Sequence, residues 1–509
     1  MNAGSDLVVG IDLGTSTAKI VVVDQSGNVL GRARSAYGIR RPAPGHAEQS
    51  PKQWWEAVSR ALGESLADLD RSRVKAIGLS GQLNGIVLVD AQGRPLTEAA
   101  IWLDQRATGQ ADRLEERFGE LLRRATYGRI SSIHGLAKLL WFMEREPDLV
   151  RHVHRVLFPK DYINFRLTGQ FATDASDAGA TGMLDMRRRD WFMELLDQLN
   201  VPAQWLPPVH ESPDVIGTLT PEAASELGLL PGIPVVAGAG DMAALAVGTG
   251  VTSAGTGCAS IATAGHVAVH LEEAPDVLDE RLWLMCHAIP GRYFWHGLVL
   301  TGGYSLDWFR RRFGQAERLA SDLVERDHFE LLLEPAGNVP PGSDGLLFLP
   351  FLDGAATPYN DPFARAAFIG AAARHGKAHF VRAVLEGVAY NFRDSFEVVE
   401  SLGFPVTDVR TGEGGSRSLL WRQVMADVLG REIVPLKELD CSALGAACIA
   451  GAGAGVWRDV QEAVQIAVQT GFPVAPDPAV RAVYDRGYAV YKQAYDALQP
   501  VFHRLAGAG

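Results

Sequence analysis

The feature that most constrains this chain is a pair of short turns rich in glycine and hydroxyl residues, set among β-branched runs. The first, Asp12-Leu13-Gly14-Thr15-Ser16-Thr17, separates Leu7–Ile11 from Ala18–Val23 and predicts a strand, a turn and a second strand. A further turn over Asp24–Asn28 leads into Val29-Leu30, so three short antiparallel strands are expected at the start. From Pro51, Trp54, Val58, Leu62 and Leu66 recur every four positions and predict one apolar stripe on a helix. Val74–Ser80 and Gly85–Val89 read as strands, and long helical patterns follow. Near residue 245 the pattern restarts, with Ser253-Ala254-Gly255-Thr256-Gly257 as the second turn. Two similar α/β halves with a cleft between them follow, divided near residue 243.

Composition removes several alternatives. The 509 residues carry 60 acidic and 48 basic side chains, a net charge of -12, which argues against a nucleic-acid partner. At 47% hydrophobic and 21% charged the chain is neither fibrous nor disordered, and its length calls for two or more domains. Its 54 glycines and 27 prolines form about a sixth of the chain, against a usual share of about 12%, so many turns and backbone-lined sites are expected. Cys258, Cys286, Cys441 and Cys448 form no CxxC pair, which points away from a disulfide framework or zinc site. Met1–Asp6 lacks a basic export signal, and a cytoplasmic location is expected. Met242–Leu271 has no charged residue and is long enough to span a bilayer, but its glycines, serines and threonines read as buried strands and tight turns.

Four constellations suggest chemistry. An acid at a strand end, followed by a glycine and hydroxyls, can hold Mg2+ through Asp12 and aim backbone N–H groups at phosphates, although a plain hairpin has the same look. Asp241 ends an apolar run and is the only charged residue between Glu226 and Glu272. It either caps the helix that follows or accepts the proton of a substrate hydroxyl. Gly412-Glu413-Gly414-Gly415-Ser416-Arg417-Ser418, between an alternating run over Val406–Arg410 and the helical run Leu419–Leu429, lets a ring or phosphate approach the backbone, as a bland loop also could. Trp102, Asp104 and Arg106 combine an aromatic platform, an acceptor and a donor fork that suit a polyol, or a salt bridge beside a packed ring. Gly238-x-Gly240-x-x-Ala243 imitates a dinucleotide fingerprint but lacks the acid about 20 residues on. Gly376-Lys377 is followed by Ala378 and makes no Walker A motif.

In this order and spacing these residues resemble the FGGY-type carbohydrate kinases, over essentially the whole chain. The blocks Arg41–Trp55, Leu157–Gly169, Phe171–Gly182 and Ser416–Asp427 read like the xylulokinase branch. The resemblance implies the two-lobed ATPase fold of actin and hexokinase (ribonuclease H-like), with a sugar-binding lobe over 1–243 and a nucleotide-binding lobe over 244–509. It implies Asp241 as catalytic base and substrate contact, and Asp12 as the Mg2+-linked acid. Gly14, Thr15 and Ser16 resemble the first phosphate turn, and Thr256 and Gly257 the second. Gly303, Gly414, Gly415, Ser416 and Ser418 resemble the nucleotide pocket. Gln82, Leu83, Asn84, Trp102, Asp104 and Arg106 fall where such kinases contact the sugar. Three departures concern the sugar and nucleotide sites: Gly81-Gln82-Leu83-Asn84-Gly85 has Asn84 in place of a usual histidine, Asp353–Pro358 carries Ala355-Ala356 in place of an acid and an arginine, and Glu413 replaces a glycine.

The resulting expectation is a kinase using ATP and Mg2+ to phosphorylate a ketopentose primary hydroxyl, D-xylulose to D-xylulose 5-phosphate, with lobe closure excluding water. Ribulose, erythritol or another polyol as substrate is the alternative within the class, and a non-catalytic two-lobed ATP-binding switch the alternative outside it. No nucleic-acid or membrane partner is expected, and a homodimer is left open.

Overall fold

The computed structural model describes residues 5–507. Met1–Gly4, part of the segment read above for an export signal, lie outside the described residues. The chain divides into two compact units. The first gathers the residues through Ser253 with His270–Phe294 and Asp440–Gln469; the second gathers Ala254–Val269, Trp295–Leu439 and the residues from Thr470 on. The halves expected from the sequence are contiguous, whereas these units interleave.

In the first unit the opening strands run longer than their apolar cores: β1 is Leu7–Leu13, β2 Thr17–Asp24 and β3 Val29–Ala36. They form one sheet with Val74–Gly81, Pro234–Val236 and Val215–Thr218, in the order Val215–Thr218, Pro234–Val236, Val74–Gly81, β1, β2, β3. β1 is antiparallel to β2 and parallel to Val74–Gly81, which is also parallel to Ala239–Gly240. Helix α1, Pro51–Ser65, starts with proline in its first turn and buries Trp54, Trp55, Val58 and Leu62 in the core that includes Val9, Ile11 and Ile20. Leu66, expected as the last residue of its stripe, is the buried C-cap. Of the run Gly85–Val89, only Val87–Val89 is strand.

Two helices pack on the first sheet, the later one across Gly10 and Gly78. Asp241–Gly248 packs against Cys441–Gly453, which buries Cys441 and Cys448 as small packed residues. Their approach is closer than side chains permit. A Cβ on Gly445 would overlap the carbonyl oxygen of Ala244, and one on Gly248 that of Cys441.

In the second unit Thr256–Ile261 pairs antiparallel with Gly265–Leu271 and parallel with Asp408–Thr411, which pairs parallel with Ile433–Pro435. Helices Lys377–Ser401, Leu419–Leu429 and Arg481–Leu505 pack around it. Tyr484, Tyr488, Tyr491 and Tyr495 form a buried stripe along the last of these. The uncharged stretch Met242–Leu271 becomes part of one helix and two strands, and no helix among the described residues is long and apolar enough to cross a membrane.

The glycine contact is testable. Gly445→Ala is expected to lower unfolding stability by about 2–4 kcal/mol. Gly63→Ala, on α1 where an added Cβ meets nothing within 4 Å, is expected to gain about 0.5–1 kcal/mol. Urea midpoints of the two variants give the comparison.

Candidate active site

The register of the first sheet assembles the acidic centre. Asp12 lies opposite Lys19 on β2 and beside Ser80 on the neighbouring parallel strand. Ser80 Oγ donates to Asp12 Oδ1 at 2.9 Å, and Lys19 Nζ is 3.6 Å from Asp12 Oδ2 and 3.8 Å from Asp440 Oδ1. Arg34 on β3 grips Asp440 with both contacts near 3 Å, at 3.0 and 2.9 Å. Ser80 also pairs with Ala239, and Gly81 with Gly240, so the next residue, Asp241, emerges at the same carboxyl ends of the strands. Open α/β sheets bind their ligands at that end.

Asp241 is the first residue of its helix, and Gly240 is the cap; the capping role open in the sequence therefore falls to its neighbour. Its side chain keeps partial exposure yet lies deep within protein. Burial first, and then the negative charge of Asp12, push its carboxyl up to about 8, against the opposing pull of the Met242 amide and Lys19. Burial also raises Asp12, with Lys19 and Ser80 pulling the other way and Asp440 adding to the rise. Asp12 and Asp241 lie near enough for the charge of one to raise the other, a pair of the kind that fits a divalent cation, since such ions take one or two protein carboxylates and complete their shell with water and phosphate oxygens; no cluster of three or more His, Cys, Asp or Glu side chains able to hold a metal occurs among the described residues.

The Gly14–Ser16 turn, expected to meet phosphate, is tightly held. Tyr37 OH donates to the Gly14 carbonyl, Gln49 Nε2 to the Thr15 carbonyl at 2.6 Å, and Trp102 Nε1 to Thr15 Oγ1 at 2.9 Å. Ser16 is exposed at its tip. Trp102 thus supports the turn with its N–H.

Among the expected sugar contacts, Gln82 Nε2 donates to Gln49 Oε1 at 2.8 Å, while Gln82 Oε1 is buried without a donor. Asn84 adopts a left-handed backbone, φ 64°, which asparagine tolerates better than most residues. Its Oδ1 accepts from the Gly135 amide at 3.3 Å and its carbonyl from Lys138 Nζ at 2.9 Å. Leu83 packs against Gly240, where a Cβ would strike it. Asp104 and Arg106 form a buried ion pair, not the surface bridge weighed from the sequence. Asp104 accepts from the Ala47 amide and from Arg106, which also reaches Glu48 at 2.6 Å and lies over Trp141. These two side chains brace the loop around Trp102.

In the second unit, Thr256 and Gly257 open a strand rather than lying in a strand-to-strand turn. The hairpin topologically equivalent to Gly14–Ser16 is Ala262–Ala264, between Thr256–Ile261 and Gly265–Leu271. Gly303 donates its amide to the Ala262 carbonyl at 2.8 Å, and Gly415 abuts Ile261. Both therefore gather at the far end of the strand from Thr256. Gly414–Arg417 is a short 3-10 turn, Ser416 bonds back to the Glu413 carbonyl, and Ser418 caps Leu419–Leu429 through the Trp421 amide at 3.1 Å. Glu413 holds φ 63° and ψ -174°, a region at home only to glycine, at a cost of about 1–3 kcal/mol. Ala355, at the second departure, is fixed by reciprocal backbone bonds with Asp361, both 2.8 Å.

Sequence reasoning missed Lys19, Asp440, Gln49 and Lys138. Lys19 was recoverable, because it sits as far after the centre of the first hairpin as Asp12 sits before it. Asp440 carried no local signal.

Two acids at adjoining strand ends beside a braced turn of glycine and hydroxyl residues are the arrangement expected above of a phosphoryl-transfer site. Comparison with known proteins agrees: residues 7–248 match the N-terminal domain and residues 250–454 the C-terminal domain of the FGGY family of carbohydrate kinases. The chain belongs to that family, and it is a carbohydrate kinase. It is 33% identical over 490 residues to a xylulose kinase of Bacillus subtilis, covering 96% of each chain. It is 34% identical over 499 residues to a xylulose kinase of Escherichia coli K12, covering 97% of this chain and all of that one. The crystal structure of a xylulose kinase from Rhodospirillum rubrum superposes with a TM-score of 0.87 at 32% identity, covering 98% of this chain and 100% of that one.

The raised Asp241 carboxyl makes a stability prediction. Its folded pKa lies above the unfolded value, so the native state binds the extra proton and stability falls as pH rises from about 4 to about 8. Asp241→Asn removes that loss. In the ligand-free protein its advantage in unfolding free energy is expected to grow across this window to on the order of 1 kcal/mol and then level off, as read by urea unfolding at a series of pH values.

Proposed function

We propose that this kinase phosphorylates the 5-hydroxyl of D-xylulose, using ATP and Mg2+. The observation that carries the chemistry is the convergence of Asp12 and Asp241 at neighbouring strand ends, with Asp241 kept basic by burial and by its acidic neighbour. The choice of sugar is supported by the xylulose kinases among the relatives and by Gln82, whose buried Oε1 offers an unused acceptor to a substrate hydroxyl.

Asp241 accepts the proton of the attacking hydroxyl as the new P–O bond forms. Asp12 would hold Mg2+, which when bound would screen charge on the phosphates. The Gly14–Ser16 backbone steadies phosphate oxygens, held in shape by Tyr37, Gln49 and Trp102. Gln82, Leu83 and Asn84 line the sugar, while Asp104 and Arg106 act by bracing Trp102. Thr256, Gly257, Gly303, Gly414, Gly415, Ser416 and Ser418 serve the nucleotide. The sugar-binding part is assigned to residues 1–243 and the nucleotide-binding part to 244–509, in a cytoplasmic enzyme.

Coupled ADP release with MgATP and a panel of D-xylulose, D-ribulose, L-ribulose, erythritol, glycerol and D-gluconate tests this reading. D-xylulose is expected to give the highest kcat/KM, and a higher value for another member reassigns the sugar. Asp241→Ala is expected to lower kcat by about 10²–10⁴-fold or more while ATP binding by calorimetry persists.

A further inference from the structure

Behind the Asp241 segment lies a charge cluster that the phosphoryl-transfer chemistry does not use. Lys160 is fully buried, with Nζ 2.5 Å from Asp161 Oδ1, 2.9 Å from Asp174 Oδ1 and 3.5 Å from Asp177 Oδ2. All three carboxylates are fully buried as well. Taking so many charges out of water is rarely the cheapest way to stabilise a fold, so such a cluster calls for a role in geometry.

Its bonds lead to one place. Asp174 Oδ2 accepts from Ser176 Oγ at 2.5 Å, and Ser176 Oγ accepts from the Gly240 amide at 3.0 Å. A second arm runs from the same Asp174 oxygen to Ser212 Oγ at 3.0 Å, and the Ser212 carbonyl takes the Gly238 amide at 3.0 Å. Asn164, one helical turn beyond Lys160 on Pro159–Thr168, donates to the Ala237 carbonyl at 2.9 Å. Three of the four residues leading into Asp241 are therefore bolted to the block that Lys160 neutralises. Asp177 packs beside Gly240, and burial together with the neighbouring carboxylates pushes its own carboxyl well up, which limits the uncompensated charge there.

We propose that Lys160, Asp174 and Ser176 are positioning residues that set the placement of Asp241 through the Gly238–Gly240 backbone. Lys160 holds Asp174 through Oδ1, Asp174 Oδ2 orients the Ser176 hydroxyl, and that hydroxyl fixes the peptide from which Asp241 projects. The proposal rests on the reading of Asp241 as the base. A displacement of about 1 Å in a catalytic group costs on the order of 10²-fold in rate, so the effect belongs in turnover rather than in affinity.

The experiment is a double-mutant cycle of Ser176→Ala and Asp241→Asn on the full chain, with kcat and both KM values measured by ADP release and folding checked by thermal midpoint. Ser176→Ala is expected to lower kcat about 10- to 100-fold with KM for sugar and ATP within about threefold, and to add little further loss in the Asp241→Asn background. Lys160→Met is expected to show the same pattern; if it does not fold, Ser176→Ala carries the test alone. Unchanged kcat in folded Ser176→Ala, a change confined to KM, or an equal loss in both backgrounds overturns the positioning role. Near-normal turnover by Asp241→Asn instead overturns the base assignment on which it rests.

Discussion

The register between β1 and β2 is the constraint on which the site depends. Because that pairing puts Lys19 directly across from Asp12, the carboxylate enters the interior with a cation already beside it. The parallel neighbour then supplies the Ser80 hydroxyl on the other side. A slip of one residue would turn both charges to the opposite face of the sheet, and Asp12 would be stranded in the apolar core of Val9, Ile11 and Ile20. Sheet pairing here determines electrostatics as well as shape, and the elevated Asp241 carboxyl follows from the same placement.

Much of this was legible in the sequence, for physical reasons that differ by element. The first two strands announce themselves as short runs of β-branched residues buried on both faces, and α1 through the periodicity of Trp54, Val58 and Leu62, which survives into the packed helix. Asp241 stood out because an isolated charge in an uncharged stretch is costly. The symmetry drawn between the two Gly-Thr segments did not carry over to topology: Thr256 starts a strand after a helix, and the equivalent hairpin, Ala262–Ala264, has no acid or glycine to mark it. Asp440 was invisible because nothing local tells a helix-flanking acid that its partners are Lys19 and Arg34, some 400 residues earlier. Asp104 and Arg106 had the right residue types for a polyol, yet they turn out to be bound to each other, to the Ala47 amide and to Glu48.

The departures from the family pattern acquire different meanings in three dimensions. Asn84 occupies a left-handed position with both its side-chain oxygen and its carbonyl committed to the start of Gly135–Arg145, so its backbone demand is met as well as its polarity. Glu413 has the opposite character, a residue kept in a glycine's conformation at an energetic cost. Ala355 is bound through its backbone alone, which explains how its side chain could shrink without loosening the segment.

The interleaving of the two units has a consequence for synthesis on the ribosome. The sheet that carries Asp12 is complete once Pro234–Val236 has been made, but the helix that covers Gly10 and Gly78, Cys441–Gly453, is encoded about 200 residues later. At a translation rate of about 5–20 residues per second, the glycine-lined face waits roughly 10–40 seconds for its cover. During that interval the nascent chain presents an uncapped apolar sheet, and the second unit's Ala254–Val269 and Trp295–Leu439 emerge before the first can close.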